Sequence, residues 1–278
     1  MRYIKTLFTI LAFSLFIISC DKIDEPYTKK NNGGGDTNNV VRKVLLEDYT
    51  GHKCVNCPAA AIIAHDLKDY YKERLIIMSV HAGYFAMPSS SGDYSYDFRT
   101  PVGNELDQYF GISNIGNPNG MVNRKKISGS QVINPNNWGT AIGDIIDLPP
   151  DASISIENTF NNTSRKLSID VETELLNQIS GNYSLCVYIL EDSIVAAQKN
   201  NDPNVGDTPD ILDYVHRHVL RGSVNDTWGE SIGTETAAKN YSYTLNAEWD
   251  ADNCYILAFI YNDDSKEIIQ AEEKKIVE

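Results

Sequence analysis

The sequence predicts an α/β domain followed by an all-β antiparallel sandwich, both carried behind a short leader and tether. Three observations predict this. Between residues 41 and 148, apolar strand-like runs alternate with stretches of helical periodicity. That order gives a mostly parallel sheet covered by helices. At Leu148-Pro149-Pro150 the pattern changes, and such Pro pairs mark a boundary. From 151 to 278, apolar and polar residues alternate with no long helix between them, as strands with one buried face require.

The 278 residues suffice for one large or two ordinary domains. The formal net charge is −14. A field of that sign repels nucleic acid, which is excluded as a partner, and anionic membrane surfaces. Five cysteines are present, at 20, 54, 57, 186 and 254, and the odd number calls for an explanation. Residues 1–19 supply one. Arg2 and Lys5 precede an apolar run from Leu7 to Ile18. The run is short for a membrane span, which needs about 20 apolar residues, and suits a secretory signal. Ile17-Ile18-Ser19-Cys20 resembles the lipobox of bacterial lipoproteins. The resemblance implies cleavage before Cys20 and acylation of its sulfur, with the lipid bilayer as a partner. The alternative is an ordinary signal peptide with a coincidental cysteine. Residues 20–40 read as a disordered tether, polar and glycine-rich from Lys29 to Asn39. Asp21, Asp24 and Glu25 resemble a surface-export signal of Bacteroidetes lipoproteins; a merely soluble tether is the alternative.

In the first domain, 41–148, Val44 to Tyr49 is a strand and Pro58 to Tyr71 a helix, with Ala60, Ile63, Leu67 and Tyr70 on one face. Leu75 to Val80 is a continuous apolar run, as in a strand buried on both faces. Pro101 to Phe110 is a second helix with Val102, Leu106 and Phe110 on its stripe. The segment from Ile115 to Arg124 turns tightly into a strand, and Asn137 to Ile146 is a further helix. Cys54-Val-Asn-Cys57 lies at the first strand-to-helix junction. There the helix's unpaired N–H groups and positive dipole end favour a thiolate. Pro58 suits the first helical turn because it has no N–H to lose.

These residues resemble thioredoxin-like proteins. The resemblance implies that Cys54 attacks and Cys57 resolves. It implies that Asp48, six positions before Cys54, relays protons, and that Pro118, in Gly116-Asn117-Pro118, shapes the substrate groove as a cis-proline. Protein thiols or disulfides would be the substrates, and no cofactor is implied. The sequence departs from that pattern with Val-Asn between the cysteines, Lys53 where Trp is usual, and Asn117 before the proline. Competing readings are a structural disulfide, and half a zinc site with His52 or His81. No second Cys-x-x-Cys exists, so no metal is assigned. Asp48 could also be an ordinary satisfied acid. The segment His81 to Phe98 starts at the carboxyl end of a strand, where α/β proteins bind ligands. It is too long for a mere connection. His81, Tyr84 and Phe85 are its candidate binding residues, with His81 alternatively a hydrogen-bonding residue.

From 151 to 278, strands are predicted over 153–157, 166–172, 183–190, 241–245, 254–261 and 268–277, the pattern of an immunoglobulin-like sandwich. A polar insertion, Lys199 to Gly222, contains His216 and His218. On a strand they would share one face and make a two-histidine metal pair without a third ligand. Cys186 and Cys254 are either a disulfide or two buried thiols.

Tyr214-Val-His-Arg-His-Val-Leu-Arg221, Asn253 to Ile260 and Ile268-Ile-Gln-Ala271, with Glu47 to Pro58 and Gly120 to Arg124, resemble one family. It is the Omp-twenty-eight (Omp28) outer-membrane lipoproteins of Bacteroidetes. The resemblance implies a thioredoxin-like part joined to a β-sandwich behind a lipobox, lipid-anchored in the outer membrane. Two functions follow as expectations: thiol–disulfide exchange, or a non-catalytic surface receptor or adhesin with a structural disulfide.

Overall fold

The computed structural model describes residues 40–278 apart from 178, 234 and 235. The predicted leader, lipidation at Cys20 and tether lie outside the described residues. Residues Asn39–Glu278 form one compact unit. Among the described residues, no helix is long and apolar enough to cross a membrane.

The first half contains β1 (Val44–Thr50), α1 (Cys57–Tyr71), β2 (Leu75–His81), α2 (Pro101–Phe110), α3 (Ile112–Ile115), β3 (Asn119–Val122) and α4 (Trp138–Ile146). Local chemistry sets these bounds. The Thr100 hydroxyl caps α2 by accepting from Gly103 N, Pro101 opens it, and Gly111 closes it with a left-handed backbone. The second half is β: β4 (Ala152–Asn161), β5 (Lys166–Leu175), β6 (Tyr183–Glu191), β7 (Ile194–Lys199), β8 (Asp210–His216), β9 (Val219–Ser223), β10 (Glu230–Ser231), β11 (Ala237–Thr244), β12 (Cys254–Asn262) and β13 (Ile268–Lys275). In β5 the alternation is plain: Leu167, Ile169, Val171 and Thr173 are buried, and their neighbours face solvent.

One mixed sheet runs through both halves in the order β13-β12-β6-β9-β2-β1-β3, with β10 also on β6. β1 and β2 are parallel, and β3 is antiparallel to β1. β9 pairs parallel with β2 at Ser79 and Val219, and antiparallel with β6. A second sheet is β11-β5-β4, and β7 and β8 pair apart from both. The expected boundary at 148–151 therefore does not separate two sheets. Period-two alternation reports that a strand has one buried face; it carries no information about which sheet the strand joins. What changes at the boundary is the covering layer. One face of the main sheet is a continuous core from Leu45, Tyr49 and Met78 to Tyr188, Leu257 and Phe259. The opposite face is covered by α1 and α4 over the first half, with Trp138 and Ile142 on Val44 and Leu46. Over the second half it is covered by β4 and β5, with Ile169 and Val171 among Leu185, Val187 and Ile256.

The junction is clamped. Arg42 donates to the carbonyls of Leu148 (3.3 Å), Pro149 (2.5 Å) and Ile269 (3.2 Å), and pairs with Asp151 at 2.7 Å. The helical stripe also needs a correction. Tyr70 is 78 % exposed, and Tyr71 packs inward with Leu67. The stripe follows Ala60, Ala64, Leu67 and Tyr71, the spacing of a full α-helical period.

Candidate functional site

Side chains of β1 alternate across the sheet. Glu47 shares a face with Leu45 and Tyr49, and Asp48 shares the other with Val44 and Leu46, under α1. Glu47 is held by Arg124 through two 2.8 Å bonds, and both side chains are wholly buried. Asp48 has no such partner. It is buried, and its Oδ1 makes no hydrogen bond. Burial alone pushes its pKa up to about 7.

Beyond β1 the chain turns at Gly51. A Cβ there would come within 2.5 Å of the Phe85 carbonyl carbon, so the approach admits only glycine. Lys53 N donates to Phe85 O at 3.0 Å. Cys54 and Cys57 follow as a disulfide, with sulfurs 2.11 Å apart. Cys57 is the first residue of α1. Each cysteine is only 2 % exposed, so Cys54 is as shielded as Cys57. The β7–β8 hairpin accounts for part of this. Gln198 Nε2 donates to Cys54 O (2.9 Å) and Gly51 O (3.3 Å). Lys199 N donates to His52 O at 2.8 Å, and Asn201 N to Val55 O at 3.2 Å.

A small cavity of about 20 Å³ lies behind the disulfide, lined by Asp48, Cys57, His81, Gln198, Tyr214 and His216, among others. That volume has room for one water molecule. All the chain's five histidines gather around it or beside it. His81 stacks on Phe98 at 4.5 Å, and Phe98 meets His216 at 4.4 Å and His52 at 5.7 Å. His81 and His216 are 5.4 Å apart, and His65 meets His218 at 5.8 Å. Burial lowers the pKa of His52 to about 4 and of His216 to about 3, and holds His81 well below the usual value. These rings are neutral at neutral pH.

The sequence points to His52, His81, His216 and His218 separately and does not join them into a cluster. A signal existed: His81 and His216 end strands and His52 follows one, so three histidines occupy carboxyl ends of strands. His216 and His218 do not share a face. β8 ends at His216, and His218 takes a left-handed backbone (φ +50°) and faces Asp192. Among the described residues, no group of three or more His, Cys, Asp or Glu is placed to hold a metal ion, and the two cysteine sulfurs are bonded to each other.

The Asn117–Pro118 peptide is cis. Asn117 Nδ2 donates to Thr50 O at 3.1 Å. Pro118 lines an open cleft of about 250 Å³ with Asn56, Ala59 and Ile63 at the start of α1. Tyr84 and Phe85 are exposed beside the Gly51 turn, whereas His81 is buried and does not join them. Cys186 and Cys254 are free and buried. They point to opposite faces of the sheet, and burial pushes both thiols up to about 12. A larger cleft, about 410 Å³, lies between Phe160, Arg165, Trp249 and Ile276, and shares no residue with the disulfide's surroundings.

Comparison with known proteins gives a family and a fold. The family profile described as "Outer membrane protein Omp28" matches residues 103–278. HBP35 of Porphyromonas gingivalis is similar in structure, with 21 % identity, TM-score 0.63, 85 % of this chain and 76 % of that chain covered. A protein of Agrobacterium tumefaciens is similar at 12 % identity and TM-score 0.51, covering 86 % of this chain and 96 % of its own. A domain of the outer membrane lipoprotein Omp28 from Porphyromonas gingivalis matches at 23 % identity and TM-score 0.34, over 46 % of this chain and 88 % of that domain. No curated protein sequence matches the chain.

Proposed function

We propose, for a chain that belongs to the Omp28 family of outer membrane proteins, that Cys54 and Cys57 exchange their disulfide with protein thiols in the cell envelope. Its place is the outer membrane, and we read Cys20 as the lipid-bearing anchor. The observation that carries the exchange reading is Asp48. It is a buried carboxyl with an unpartnered oxygen, facing the same small cavity as Cys57, and burial raises its pKa to about 7. Burying such a group unpaired costs stability, and perturbed acids of this kind gather at functional sites. The order β2-β1-β3 under α1 and α4 supports a thioredoxin-like reading of the first half. The β11-β5-β4 sheet against β6 and β12 supports a sandwich in the second.

A thiolate of a protein dithiol attacks Cys54 Sγ, a new sulfur–sulfur bond forms, and the Cys54–Cys57 bond breaks. The electron pair leaves with Cys57 Sγ, which takes a proton from neutral Asp48. The partner's second thiolate then attacks its own sulfur in the mixed disulfide and releases Cys54. The partner is oxidised and the cysteine pair reduced. Pro118 borders the groove, and Tyr84 and Phe85 offer the partner an aromatic rim.

The burial of both sulfurs favours a second reading: a receptor or adhesin with a structural disulfide, binding its ligand through the same rim. Cys57→Ser and Cys54→Ser, expressed in the native envelope, separate the two. Exchange predicts reducible high-mass adducts on non-reducing gels with Cys57→Ser and none with Cys54→Ser. Equal absence in both variants sinks the exchange role and leaves the structural one.

A further inference from the structure

The β7–β8 hairpin is built differently from the rest of the second half. Its strands form their own two-stranded sheet outside the main ladder, so it can leave without breaking a main-sheet hydrogen bond. Its roots converge on Asp192. Arg217 pairs with that carboxylate at 3.3 Å, and His218 lies 3.6 Å from it. Residues with positive φ flank the two roots, Ser193 (+62°) and His218 (+50°), which marks them as defined bends. Its outward side carries exposed apolar residues, with Val195 and Leu212 each 63 % exposed.

What the hairpin touches is the redox loop. Residues 198–201 run along residues 51–56. Gln198 holds the Cys54 carbonyl, Lys199 N the His52 carbonyl, Asn201 N the Val55 carbonyl, and the Asn201 amide meets Asn56 Oδ1 at 2.8 Å. A second latch lies on the other strand. Asp210 accepts from the Tyr94 hydroxyl and pairs with Lys199 at 2.7 Å, and the Tyr94 ring stacks on His52 at 5.6 Å. The Asn201–Asn56 and Tyr94–Asp210–Lys199 contacts are polar and at most partly buried, and such contacts open at lower free energy than a packed core, whereas the Gln198 bonds are buried and hold the cap more firmly. No partner sulfur can reach Cys54 or Cys57 while each is 2 % exposed.

We infer that the β7–β8 hairpin is an intramolecular cap on the Cys54–Cys57 disulfide, released at the Gln198 and Tyr94 latches before either sulfur can meet another thiol. The inference rests on the exchange reading for its biological use, and on contacts alone for its existence. In the closed state the disulfide is inert. Opening pivots about Asp192 and uncovers the loop with its aromatic rim.

The test is the rate at which the oxidised full chain is reduced by excess tris(2-carboxyethyl)phosphine, followed by alkylation and mass. Gln198→Ala removes its bonds to the loop and should speed reduction about tenfold or more. Tyr94→Phe keeps the ring, removes one bond, and should give a smaller increase. Hydrogen exchange supplies the independent readout: the amides of Lys199 and Asn201 should exchange far faster than those of β6 and β12. Should Gln198→Ala fail to fold, Asn201→Ala and the wild-type exchange data decide in its place. Variants reduced at the wild-type rate, or Lys199 and Asn201 amides as protected as β6, overturn the cap. If the variants are reduced faster while Cys57→Ser captures nothing, the cap stands and the exchange role falls. If capture occurs while reduction is unchanged, the reverse holds.

Discussion

Burial decides the proton affinity of Asp48. Its folded pKa is raised from 3.8 to about 7, so its contribution to stability is fully present below 3.8 and is lost as pH rises through about 7. At pH 8 the folded chain holds a buried carboxylate that the unfolded chain would ionise in water. Asp48→Asn should therefore be more stable than the wild type at pH 8, by roughly 1–4 kcal/mol. The advantage should shrink below pH 7 and be gone near 3.8, the unfolded value. Urea unfolding at pH 8 and pH 4 measures both ends. An equal difference at the two values would mean that Asn acts through packing rather than through charge. Such a gain in stability is the usual signature of a group kept for function. The same variant should slow reduction of the disulfide by thiols, because the departing Cys57 sulfur loses its proton source.

At the scale of elements, β1 and the strand beside it are joined by charge as well as by their ladder. Glu47 projects from β1, and Arg124 lies two residues beyond β3. The guanidinium is enclosed by Phe110 and Phe259, each 5.1 Å from it. Asn123 and Arg124 both take left-handed backbones (φ +48° and +51°). The Asn123 side chain accepts from Leu45 N at 2.7 Å, so the tight turn pins Arg124 over β1. Removing one partner leaves a buried charge alone. Arg124→Met should cost roughly 3–5 kcal/mol, and the double variant with Glu47→Met should recover much of that. Equilibrium denaturation of the two single variants and the double variant completes the cycle. If the double variant is no more stable than Arg124→Met, the pair is not the source of the loss.

At the scale of the molecule, the junction at 148–151 is fastened. Besides the Arg42 contacts, Gln270 accepts from Lys43 N at 2.8 Å and donates to the carbonyls of Val41 and Ala152, each at 3.0 Å. The start of the compact unit, the junction and β13 thus share one buried hub. With the main sheet crossing between the halves, unfolding should be a single transition. Limited proteolysis should leave residues 40–278 uncut at Leu148-Pro149-Pro150. Early release of two fragments meeting near residue 150 would count against the continuous sheet.

Much was legible in the sequence because it depends on neighbours in the chain. The helix that begins at Cys57-Pro58, the capped helix Pro101–Phe110 and the alternating strands β4 and β5 come from local periodicity and end signals, and they stand where the sequence predicts them. The closeness of Cys54 and Cys57 is likewise a matter of three residues of chain. What only the tertiary structure decided are pairings between distant residues. β9 meeting β2 makes one sheet of two expected ones. Gln198 meeting Cys54 O, 144 residues apart in sequence, buries the disulfide. Phe98 gathers His52, His81 and His216, which no spacing connects. Proton affinities followed the same division. An aspartate six residues before a cysteine is a sequence fact, but a pKa near 7 follows from removing its water, and the packing of α1 and the hairpin decides how much water is left.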